Sequence, residues 1–186
     1  MTSPCHPKYA PAGDVGGALF LIDSRLKAIY DGRTELAAEE RELVAQFTAS
    51  LDADGVEDLL DGACTIIFMF MKWLRLAYED HDKDVIEGVL PGFVASLSVM
   101  TRNIKPETIP TMSGMVIAAG LDLSPSLWRK QFGTWTPSEM TTLEATAFLL
   151  AEHINRLTDD QDYATRLISE ALAGALDGVE DEDGDG

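Results

Sequence analysis

At 186 residues and 46% apolar side chains, the chain is sized for one domain with its own core and needs no metal or disulfide framework to fold. Its formal charge of −18, from 32 acidic against 14 basic residues, argues against a protein that wraps a phosphate backbone or docks on an anionic membrane surface. The longest uncharged stretches, Gly88–Thr101 and Thr108–Leu121, hold 14 residues each, short of the ~18 to 20 that cross a bilayer.

Residues 1–13 contain Pro4, Pro7 and Pro11 with little apolar material and read as a flexible N-terminal arm without the basic-then-apolar order of a secretory signal. Cys5 in this arm and Cys64 far from it form no disulfide pattern, which points to reduced thiols and a cytoplasmic protein. The folded part is expected at 14–176. Asp14 is a candidate N-cap for a first helix, in which Leu19, Ile22, Leu26 and Ile29 recur at helical spacing until Asp31-Gly32 stops it. A second helix is predicted from about Thr34 to Ser50, with Leu36, Leu43, Val44 and Phe47 inward and Glu35, Glu39, Arg41 and Glu42 outward.

The stretch 54–78 is the most apolar in the chain and contains Ile66-Ile67-Phe68-Met69-Phe70-Met71 without interruption. At 100° per residue, Val56, Leu60, Cys64, Ile67, Phe70, Met71 and Leu74 share one face, and a thin polar strip lies opposite. The expectation is a long helix buried at the centre of a bundle, capped by Asp54 with Glu57 three residues on, as in a capping box. Gly62 inside it costs about 1 kcal/mol relative to Ala, which predicts the close approach of another backbone.

After the charged turn 79–84, a helical pattern runs from Ile86 to Met100 with Pro91 inside it, so this is a kinked helix or two short ones. Met112, Val116 and Ala119 mark a short helix that ends at Gly120, and Ser124-Pro125 opens another that closes at Gly133. Thr136-Pro137-Ser138-Glu139 is a strong start signal for a long helix carrying Met140, Leu143, Ala147, Leu150, Ile154 and Leu157. The last helix is predicted from about Asp160 to Leu176. Beyond it, the segment 177–186 has six acidic residues in ten and reads as a disordered tail. The fold class is therefore all-α: a single-domain bundle of seven to nine helices around a buried helix at about 54–78.

Motifs that carry chemistry are few. Asp80-x-Asp82-x-Asp84 has the spacing of the first calcium-loop ligands, but Val85 stands where that loop needs Gly and Pro91 where it needs a bidentate Glu. No Glu-x-x-His pair, nucleophile elbow or phosphate-binding glycine loop is present, so no catalytic residue, metal or cofactor is assigned and a non-enzymatic protein is expected.

Two candidate sites remain. Between Val99 and Ser138 four basic residues face two acidic ones, against the trend of the chain, and aromatic residues cluster there. Arg102, Lys105, Trp128, Arg129, Lys130, Phe132 and Trp135 form a candidate interaction surface, because aromatic side chains and Arg are over-represented at binding hot spots. Asp61, Thr65, Phe68, Lys72 and Arg75, along the polar strip of the central helix, form a candidate pocket if that strip is covered.

The preferred reading is a non-enzymatic acidic protein-interaction or regulatory module whose partner is another protein, a basic one suiting the charge, or a second copy of the chain. A bundle that binds a small hydrophobic ligand and an acidic mimic of nucleic acid are the alternatives. The ligand reading requires an enclosed cavity of ~300 Å³ or more, and a solid core beside Phe68 to Met71 would count against it. The mimic requires carboxylates gathered on one surface.

Overall fold

The central helix, α3, runs Ala53–Glu79 and is 27 residues long, roughly 40 Å. Ile66, Ile67, Phe70, Met71 and Leu74 within it are wholly out of solvent. The computed structural model describes residues 2–33 and 35–182, the side chains of 179–182 excepted. Around α3 are packed α1 (Val15–Tyr30), α4 (Val85–Val99), α5 (Ile109–Gly120), α6 (Pro125–Lys130), α7 (Pro137–Thr158) and α8 (Tyr163–Glu182). With α2 (Ala38–Ala49) there are eight α-helices and no strand among the described residues, an all-α bundle built around the 54–78 stretch.

Most helix starts follow the signals in the sequence. Asp14, Ser124 and Thr136 each accept a hydrogen bond from a backbone N–H in the first turn, and Pro occupies an opening position of α6 and α7. The central helix departs from expectation. Its cap is Asp52, whose carboxylate accepts from Gly55 N at 2.7 Å, and Asp54 lies inside the first turn, where a negative charge meets the positive end of the helix dipole. Pro91 is accommodated within the single helix α4.

The close approach expected at Gly62 is present. Asp14 N donates to the Asp58 carbonyl at 2.8 Å, and a Cβ on Gly62 would run into the Asp14 carbonyl. The start of α1 is thus seated directly on α3. Arg25 lies beside Glu144 and Tyr30 beside Asn155, so α1 and α7 run in the same direction.

The second helix is shorter than predicted, beginning at Ala38, with Thr34 outside the described residues. Ala37 at its cap offers no side-chain oxygen. It has no buried residue, Leu43 is 55% exposed, and α2 makes no extended contact with any other element. Its attachment is aromatic: Phe47 meets Phe20 of α1 edge-on at 5.9 Å between ring centroids and lies over Gly17.

The chain ends pack differently from one another. In the segment read as an arm, Cys5 is buried, its carbonyl accepts from Ser124 N at 2.8 Å, and the Ala12 carbonyl accepts from Thr65 Oγ1 at 2.7 Å. At the other end α8 continues helical to Glu182 but leaves the bundle surface, with Leu176 exposed. Of the acidic segment 177–186, residues 183–186 lie outside the described residues.

Candidate functional site

The polar strip of α3 does not behave as one site. Asp61 is buried and accepts from Ser126 Oγ at 2.7 Å and from Lys130 Nζ at 3.3 Å, tying α3 to α6. Both partners satisfy a carboxylate that would be costly if buried alone. Thr65 and Phe68 line a hollow of about 200 Å³ closed by Pro7, Pro11 and Ala12 of the N-terminal segment. Arg75 reaches Asp122 at 3.4 Å, and Lys72 is exposed. Cys64, at the base of the hollow, has its thiol pushed far above the ordinary range by burial and by the neighbouring Asp61 carboxylate, so it is an inert thiol. Phe70 and Met71 of α3 are wholly out of solvent.

The candidate interaction surface also divides. Arg129 is only 2% exposed. Its Nε donates to Glu139 Oε2 at 2.8 Å, Nη1 to the Gly133 carbonyl at 2.9 Å and Nη2 to the Thr134 carbonyl at 3.1 Å, while the guanidinium lies 4.7 Å from the centre of the Trp135 ring. Nη2 also bonds the Glu139 carboxylate. One planar fork therefore fixes the turn between α6 and α7, a use that a Lys point charge could not reproduce. Trp128 is half-buried against Gly114, where any side chain would collide with the indole. Phe132, packed on Trp128 at 5.0 Å between ring centroids, is 62% exposed. Lys130, Arg102 and Lys105 are exposed, and the last two lie on the α4–α5 connection.

Other groups that attract chemical interest have structural roles. Asp84 caps α4 by accepting from Ile86 N and Glu87 N, and Asp82 takes the left-handed backbone conformation of the turn, which accounts for the acidic spacing at 80–84. No group of three or more His, Cys, Asp or Glu is arranged to hold a metal ion among the described residues, and no helix there is long and apolar enough to cross a membrane.

His153 Nε2 lies 3.0 Å from the Tyr78 hydroxyl, in a cleft of about 300 Å³ between α4 and α7. Burial holds its imidazole below the ordinary value, with the nearby Arg156 charge acting in the same direction and Glu152 against it.

An apolar cleft that the sequence did not announce lies beside the second helix. Under α2, a cleft of about 380 Å³ is lined by Leu21 and Ile22 of α1, Leu59, Leu60 and Ala63 of α3, Met140 and Leu143 of α7, and Leu36, Val44 and Leu51 from above. Its rim carries Arg25 and Glu144, which pair at 3.2 Å. Those two residues also border a second cleft, of about 610 Å³, which continues past Ile29 and Phe148 to Arg102 and Asn103. Of the predicted inward face of the second helix, Val44 and, just before the helix, Leu36 line the cleft, Phe47 packs on Phe20 and Leu43 is exposed, and this was the one trace of the site that periodicity could give. The pairing of residues 25 and 144, which places α1 against α7, has no local signature.

No protein-family model, no curated protein and no solved structure matches the chain.

Proposed function

We propose that the protein is a non-enzymatic helical bundle that binds a small hydrophobic molecule in the cleft between α1, α3 and α7, with α2 as its roof. The observation that carries this reading is a 380 Å³ apolar cleft, open at its rim rather than enclosed, that is covered by a helix with no buried residue. That volume falls within the range of small-molecule sites, which lie near 300–1,000 Å³ and are lined mainly by apolar side chains. An apolar molecule there would bury the facing sides of α2 and of the bundle together, at about 25 cal/mol per Å² removed from water.

The test is titration with the neutral apolar fluorophore N-phenyl-1-naphthylamine. Saturable binding at one site per chain is expected. Val44→Trp, which fills the cleft from the α2 side, is expected to weaken it at least about 10-fold while leaving the unfolding midpoint in place. Absence of binding, or equal binding to the V44W variant, would overturn the reading.

Phe132 favours a second reading, a protein contact at the α6–α7 corner, since a large exposed aromatic packed on Trp128 matches the aromatic enrichment of interface cores. A basic partner would suit the −18 charge, and a second copy of the chain would suit the apolar corner. Sedimentation at two concentrations, with Phe132→Ser as control, separates self-association from a monomer. The mimic of nucleic acid has less support, because Asp52, Asp54, Glu57 and Asp58 lie at one end of α3 and Glu79, Asp80, Asp82 and Asp84 at the other, roughly 40 Å away. A cytoplasmic setting fits the two free cysteines.

A further inference from the structure

We propose that the molecule bound under α2 is an amphiphilic monocarboxylate, an apolar body with one carboxylate, whose head lies in the adjoining polar cleft against Arg102. This rests on the reading of the α2 cleft as a hydrophobic-ligand site and adds the chemistry of the other end of the ligand. The two clefts share Arg25, Thr141 and Glu144 on their borders, so a molecule longer than the apolar part must pass the Arg25–Glu144 pair to continue. That pair is solvent-exposed on both sides and worth at most about 1 kcal/mol, a weak barrier that a passing ligand can part.

The charge beyond it favours an anion. Arg25 and Glu144 neutralise each other, whereas Arg102 makes no ion pair among the described residues and lines the second cleft beside Asn103. Lys8, Lys72, Lys83 and Lys105 likewise make no ion pair among the described residues, and of these unpaired cations Arg102 is the one that lines the cleft. Repulsion from distant carboxylates fades over the ~8 Å screening length of physiological salt, so the local balance governs the head group. A guanidinium presents two parallel N–H donors that match one carboxylate. A phosphate monoester, nearly doubly charged, would need a second free cation, and Arg25 is already paired. Ile29, Ile104 and Phe148 also line the polar cleft and offer apolar contact to the methylenes next to the head group.

The experiment is displacement of bound N-phenyl-1-naphthylamine from the full chain by dodecanoate and by 1-dodecanol, below the concentrations at which either aggregates. Both are expected to displace the fluorophore, dodecanoate at a concentration about 4-fold lower, as one exposed ion pair would give. In Arg102→Gln the gap is expected to close to within about 1.5-fold, with dodecanol unchanged. Equal potency of acid and alcohol in the wild type, or an undiminished gap in R102Q, overturns the head-group assignment and leaves the hydrophobic site standing. Failure of both compounds to displace the fluorophore, or failure of the fluorophore to bind, removes the site itself and the inference with it.

Discussion

Helices α3 and α2 both carry apolar residues at helical spacing, and they meet opposite environments. The central helix touches six other helices and buries Ile66, Ile67, Phe70, Met71 and Leu74 completely, while α2 buries nothing and is attached through Phe47 against Phe20 and Gly17. Amphipathic pattern alone therefore does not decide which helix is core. What separates them is the width of the apolar arc and the capacity for backbone contact: α3 is apolar over most of its circumference and admits α1 at Gly62, whereas α2 offers one narrow stripe. The stripe leaves space beneath it, and that space is the candidate site.

The sharpest way to break this contrast is to truncate both helices. Phe70→Ala should cost about 3–5 kcal/mol in urea unfolding, as for a large side chain removed from a closed core. The same contrast reaches the α6–α7 corner, where Arg129→Met should cost about 3 kcal/mol, because Glu139 and the carbonyls of Gly133 and Thr134 lose their donor. Gly62→Ala should cost about 1–3 kcal/mol by pushing α1 off α3, and Gly174→Ala, where a Cβ meets open space, should be neutral or stabilising. At the small end, Leu43→Ser on α2 should change stability by less than about 0.5 kcal/mol. The amide groups of α2 should also exchange with solvent well before those of α3.

A pH experiment probes the opposite wall of the bundle. The imidazole of His153 is held below 6.5 in the folded protein by burial and by Arg156, and in the unfolded chain it regains its ordinary value. Between these two values the unfolded chain binds a proton that the folded chain refuses, so stability falls as pH drops below 6.5 and the contribution vanishes above it. In His153→Gln, which keeps an acceptor for the Tyr78 hydroxyl, the loss of stability over this window should be smaller than in the wild type. An identical slope would show that His153 does not titrate differently in the two states.

The architecture was legible because it rests on local signals: the apolar run 66–71, the caps at Asp14, Ser124 and Thr136, and the misplaced glycine at 62. The site was not, because it rests on distant pairings. Arg129 reads as a surface hot spot by composition, yet the turn at Gly133 folds back on it and makes it a buried latch. Asp61 reads as part of a pocket, yet Ser126 and Lys130, 65 and 69 residues further along, occupy its oxygens. Lys72 and Arg75 share its strip in sequence and not its surroundings, since the N-terminal segment covers only the part of α3 near Thr65 and Phe68. Where two helices leave a gap depends on the third that fails to fill it, and no local residue pattern records that failure.

The most direct test is a methyl-resolved NMR titration of the protein with N-phenyl-1-naphthylamine. Binding in the α2 cleft confines the shifts to Leu21, Leu36, Val44, Leu51 and Leu59 around it, with the buried Leu74, Ile154 and Ile168 unmoved. Shifts centred on the neighbours of Trp128 and Phe132, or none at saturating fluorophore, would contradict it.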